Sequence, residues 1–178
     1  MGAWDELDTE ISVNVDTSDL EGILALDSEI FQPLHQTVEK LIKNIHDGSK
    51  EAVEDIARRD KSFQEQIIAE TCENPSGMLQ SSIHASKIND GYGFIVGTVI
   101  NHIYPMSLEY GRKEIYPIRA KALAFYYKGQ LIFRKKAGRA SPRPFVAPAY
   151  KKTEAIAERI MLLKVEIAKK RLYRVWVY

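Results

Sequence analysis

At 178 residues, 45% of them hydrophobic, the chain is the size of one domain and carries enough apolar material to bury a core. A formal net charge of +1 does not point to a free nucleic-acid binder, a strongly acidic protein or a charge-rich disordered chain. The charge is unevenly placed, however: residues 1–30 hold nine acids and no Lys or Arg, whereas residues 112–152 hold twelve Lys or Arg against the single acid Glu114.

Taken in order, the chain opens on an acidic arm, and Ile11, Val13 and Val15 then alternate with polar residues at the period of a half-exposed strand. Pro33 suits the first turn of a helix whose apolar face is Leu34, Val38, Leu41, Ile42 and Ile45. His46-Asp47-Gly48-Ser49 interrupts that face, and a second helical pattern runs through Val53, Ile56, Phe63, Ile67 and Ile68 to Asn74-Pro75. Two helices, or one long helix bent at Gly48, both fit. Beyond Pro75 the pattern becomes strands: Met78 to Ile88 and Gly93 to Val99 flank Asn89-Asp90-Gly91, a hairpin signal. Ala122 to Tyr127 and Gln130 to Arg134 flank Lys128-Gly129 in the same way. From about Pro148 the helical period returns through Ile156, Ile160, Leu163 and Ile167, and the chain ends in an aromatic stretch, Leu172 to Tyr178. That stretch suits either a last strand of the protein's own sheet or one paired with a neighbour's edge.

This order predicts an α+β fold: a largely antiparallel sheet of hairpins with N-terminal helices and a C-terminal helix packed on one face. The expected organisation is an acidic arm and strand over residues 1–17, a single α+β domain over 18–170 with a basic hairpin loop at 128–144, and an aromatic tail over 171–178. The one cysteine, Cys72, has no intramolecular disulfide partner and sits in an apolar helical pattern, as a small buried hydrophobe would. No apolar run reaches the roughly 18 residues of a membrane span, and the acidic N-terminus lacks the basic start of a signal peptide, so a soluble protein with no membrane partner is expected.

Residues that could carry chemistry are few. His35, His46, His84 and His102 show no metal-ligand spacing, so no metal is expected. Gly91-Tyr92-Gly93 with Gly97 precedes no helix that could receive a phosphate, and no GxxxxGK loop is present, so no nucleotide cofactor is expected. Ser82 and His84 would share a strand face, but no orienting acid or oxyanion donor stands with them, and the wet face of a strand explains them better. Glu109, a carboxylate in an apolar segment, offers either a general base or, more simply, a partner for an arginine. Phe145, held between Pro144 and Pro148, is the expected packing anchor where strands give way to the last helix. No catalytic residues emerge.

Arg134, Lys135, Lys136, Arg139 and Arg143 crowd a glycine- and proline-containing segment that reads as an exposed loop. Four occupants of that loop compete: water alone, the acidic arm of a neighbouring copy (Asp5, Glu6, Asp8, Glu10), an acidic partner protein, or the phosphates of DNA.

Three segments, in this order and with these gaps, carry a resemblance: Ser76 to Ile83, Tyr104 to Gly111, and Pro142 to Ala149. Through Gly77, Leu79, Ser82 and Ile83, then Tyr104, Glu109 and Gly111, then Pro144, Phe145, Pro148 and Ala149, the chain resembles the head-to-tail joining and tail-completion proteins of tailed bacteriophages, including the phage lambda minor tail protein Z group. The resemblance spans roughly Ser18 to Ile160. Ser76 stands where that family commonly has threonine, and the acidic arm and aromatic tail lie outside the shared pattern. It implies a structural virion protein of the neck, assembled in the host cytoplasm, without catalysis or cofactor. It also implies a homo-oligomeric ring, a hexamer or dodecamer, between the connector or head-closure proteins and the tail-terminator or tail-tube proteins, with non-specific contact to packaged DNA as a further partner. Tail termination and head closure at the same junction are alternatives, as is a small DNA-binding protein that uses the basic hairpin with Tyr126 and Tyr127 as stacking platforms.

Overall fold

The computed structural model describes residues 8–25, 28–72, 77–98, 103–127 and 129–173, and it shows a mixed α+β fold. In chain order the elements are β1 (Thr9–Ser12), α1 (Ser18–Leu24), α2 (Ser28–Thr71), α3 (Met78–Ser81), β2 (Ile83–Ile88), β3 (Gly93–Thr98), α4 (Ile103–Glu109), β4 (Leu123–Tyr127), β5 (Gln130–Arg134) and α5 (Val146–Tyr173).

The strands do not form one sheet, as the sequence pattern predicts. They divide into a three-stranded antiparallel sheet of order β1-β3-β2 and a separate β4-β5 hairpin. The reason lies in composition. Central β3 is apolar on both faces and largely buried, whereas β4 and β5 are exposed along most of their length and offer the main sheet no buried edge.

Helix α2 is continuous through 44 residues, about 66 Å at 1.5 Å per residue. The polar run His46-Asp47-Gly48-Ser49 therefore breaks neither the helix nor its packing. Val53, Ile56, Ala57, Ile67 and Ile68 bury one stripe at helical spacing, and Asp60 and Gln64 lie on it too. Helix α5 runs antiparallel along that stripe, with Asp60 bonded to Thr153 near one end and Glu51 to Arg171 near the other. One core joins α2, the main sheet and the start of α5: Val53, Ala57, Ile67, Ile68, Leu79, Ile83, Phe94, Val96, Phe145, Val146 and Ala149.

Two local expectations change. Met78 to Ser81 form a single helical turn rather than the opening of a strand: Gly77 at φ 76° starts it, Leu79 enters the core, and Gln80 donates to the Glu65 carbonyl. Tyr104 to Gly111 reads in the sequence as a strand or turn ending at a glycine, but Tyr104 to Glu109 belong to a helix, with Pro105 buried in its first turn and the Tyr110 amide closing onto the Met106 carbonyl. Both hairpin turns form as expected. Asn89 and Asp90 adopt positive φ, which their side chains tolerate, and Gly91 and Gly129 follow at φ 93° and 78°.

Candidate functional site

The three segments that stand out in the sequence meet at the start of α5. An α-helix begins with amides that have no partner inside the helix, and here a carboxylate from elsewhere in the chain supplies one. Glu109 Oε2 accepts the amides of Phe145 and Val146 at 2.7 and 3.1 Å, and its Oε1 accepts that of Ala147 at 3.3 Å. Pro148 follows with no N–H to satisfy, and the Ala149 amide already bonds the Phe145 carbonyl. Every amide of the first turn is thus accounted for, with a negative charge at the positive end of the helix. Glu109 is 7% exposed. Its partners are backbone amides, not the arginine that its setting suggests.

What brings Glu109 there is the end of α4. Gly111 turns the chain at φ 74°, and a Cβ at that position would lie 2.8 Å from the Ala140 carbonyl oxygen, so no other residue fits. Phe145, at 1% exposure, is the expected anchor, packed with Leu79 and Ala149 in the common core; Pro144 is exposed. Arg143 fastens the approach, its amide bonding the Leu108 carbonyl and its Nη1 the Thr71 carbonyl at the end of α2.

Arg134, Lys135, Lys136, Arg139 and Arg143 are all exposed. The segment that bears them is not a free loop, because residues 112 and 115 pair with residues 140 and 137 through four backbone hydrogen bonds. Lys136 bonds Glu114 at 2.8 Å, and this contact, with the Tyr116 hydroxyl, holds the Glu114 carboxyl below its usual range. Arg139 joins Arg112 and Lys113 along a cleft of about 600 Å³ floored by Gly111 and Ala140. Asp8 and Glu10 are exposed in a second cleft, of about 440 Å³, with Glu154, Tyr150 and Lys151. Tyr110 is a wall of both, so part of the basic segment and the described part of the acidic arm flank one residue. Asp5, Glu6, His102 and the aromatic residues from Val175 on lie outside the described residues.

Comparison with models of known protein families, with curated proteins and with solved structures finds no match in any of the three.

The remaining candidates are structural. Ser82 is buried rather than on a wet strand face: its hydroxyl donates to the Leu79 carbonyl at 2.6 Å and meets the Thr98 hydroxyl at 2.7 Å. Cys72 is half-buried against the core. Among the described residues no three His, Cys, Asp or Glu side chains are grouped to hold a metal, and no helix is long and apolar enough to cross a membrane.

Sequence reasoning missed a buried polar knot. Asp60, fully buried on α2, accepts from Thr153 at 2.9 Å and from Gln64 at 2.8 Å, and Thr9 of β1 also bonds it. Burial pushes the Asp60 carboxyl above its usual range, against the downward pull of those bonds. The signal was present: Asp60 and Gln64 stand four apart between Ile56 and Ile67 on the apolar stripe, where a carboxylate must find partners.

Proposed function

We propose that this chain is a structural virion protein of the neck of a tailed phage or prophage, joining or completing the tail at the head-to-tail interface by assembling into a ring. It works by binding, without turnover. The observation that carries this reading is the convergence at α5. The residues behind the resemblance lie far apart in sequence, yet Leu79, Phe145 and Ala149 share one core and Glu109 holds the amides beside them. Such a set behaves as one structural unit, and this supports treating the three segments as one inherited pattern.

The charged surfaces fit the same reading. The α2-α5 body presents an exposed basic segment and an acidic cleft, and two unlike patches on one subunit are what a ring closed by head-to-tail contacts uses. Its partners in the virion would be the connector or head-closure proteins on one side and the tail-terminator or tail-tube proteins on the other. Tail termination and head closure are variants of this role at the same junction.

Deleting the gene from its phage tests the proposal. The expected result is full heads and finished tails that fail to join; joined, infectious particles would overturn it.

One observation favours a second reading. The cleft lined by Arg112, Lys113 and Arg139, against the single acid Glu114, suits a phosphate backbone, either as packaged DNA passing the neck or as the target of a free DNA-binding protein. Binding of isolated protein to DNA that weakens steeply with salt would favour that reading; binding that salt leaves unchanged, or none, would remove it.

A further inference from the structure

The β4-β5 hairpin exposes a face that a chain acting alone has no use for. In its register Ala124 stands opposite Phe133 and Tyr126 opposite Leu131, and directly opposed residues point to the same side. Tyr126 is 76% exposed, Phe133 62% and Leu131 49%, so one whole side of the hairpin is apolar and in water. Single exposed apolar residues need no explanation, but a contiguous set does. Exposed cations also edge the hairpin, Arg119 and Lys121 before it, Arg134 at the end of β5 and Lys135 after it, and the chain has no acid from residue 115 to residue 153. A complementary surface must offer apolar rings edged with negative charge.

The chain itself carries such a surface. The cleft between β1 and α5 is edged by the exposed acids Asp8, Glu10 and Glu154, which outnumber the one cation Lys151, and walled by Tyr110 and Tyr150, which are 50% and 44% exposed. We propose that the apolar face of the β4-β5 hairpin docks in the acidic cleft of a second copy of this chain. Phe133 and Tyr126 serve as the aromatic anchors; Lys135, just past the strand, and Arg134, which starts from the other face opposite Leu123 and reaches round the strand end, stand opposite Glu10 and Glu154. Hairpin and cleft are different patches, so the contact is head-to-tail and each copy can both give and receive a hairpin. The inference rests on the reading of this protein as a ring-forming neck component and names the contact that closes the ring.

Sedimentation of the full-length protein over a concentration series tests it, with unchanged circular dichroism qualifying each variant. Wild type is expected to associate, and Phe133→Ser to weaken association on the order of tenfold or more, as loss of a central aromatic anchor does. Arg134→Glu with Lys135→Glu is expected to weaken it as well, and adding Glu10→Lys with Glu154→Lys to restore it. No association of wild type at any concentration would overturn the proposal. So would association indifferent to Phe133→Ser, a charge exchange that restores nothing, or association that depends on added DNA. Incorporation into virions, scored in parallel, separates the two ideas. Wild type present in virions but indifferent to these changes in solution sinks the contact alone. Wild type absent from virions sinks the neck reading, while the charge exchange is still judged in solution.

Discussion

Glu109→Ala takes the acceptor from three amides at once, two of them buried. Leaving buried donors unpaired costs more than a hydrogen bond contributes, so the expected loss is on the order of 3 kcal/mol. Glu109→Gln keeps one oxygen and should lose about half as much. Urea unfolding measures both, and equal stability for wild type and the alanine variant would mean that water replaces the carboxylate. Asp60 gives a prediction of opposite sign. Its carboxyl is raised by burial, so the folded state holds the proton more tightly than the unfolded chain does. Its contribution is therefore most favourable in acid and declines as pH rises between the unfolded and the folded pKa. Asp60→Asn removes the charge and can keep the bonds to Gln64 and Thr153: its carbonyl accepts from Gln64, and its amide donates to Thr153, whose own proton turns to the Ala149 carbonyl. The variant is expected to be more stable than wild type at neutral pH, on the order of 1 kcal/mol, and to lose that advantage in acid. A variant destabilised equally at both pH values would contradict the account. At this scale the sequence disclosed residue types but not partners. Phe145 was legible as an anchor from its prolines. The amides that Glu109 holds lie 36 to 38 residues away, a separation at which no local pattern operates.

Among the elements, the seam between α2 and α5 decides whether the body is rigid. At Gly48 the helices approach closely: a Cβ there would lie 2.6 Å from Ala168 Cβ and 3.2 Å from the Lys164 carbonyl oxygen. In an isolated helix alanine is better than glycine by about 1 kcal/mol, so propensity alone makes Gly48→Ala stabilising. Overpacking of a close helix pair costs about 1–3 kcal/mol, and the second effect is expected to win. A lowered melting temperature is the predicted outcome; a raised one would show that α5 shifts aside freely. Seen from the sequence, Gly48 looked like an interruption, because a helix pattern records the apolar stripe and not the neighbour that needs a gap in it. The two hairpins were legible because Asp90-Gly91 and the glycine at 129 act within two residues. The turn at Met78–Ser81 was not, being shorter than the period that would reveal it, and α4 was not, because its end is fixed by contacts at Gly111 with residues about 30 positions on. The division into two sheets turned on which strands are buried, which alternation alone does not tell.

For the whole molecule, the question is what the charged surfaces meet. Charge reversal at Arg134, Lys135 and Lys136 is expected to weaken self-assembly or docking while leaving the fold intact, since all three are exposed. Reversing Lys136 also breaks its bond to Glu114, but water screens a surface pair of this kind, so melting should shift little. Native mass spectrometry and virion yield read the effect, and no change in either would remove these residues from the interface. Where the protein resides decides its role. The most direct measurement is an image reconstruction of the virion at the junction of head and tail. A ring of copies at the neck, with the α2-α5 body fitting its density, is the predicted result; virions whose neck holds no density for this chain would contradict it.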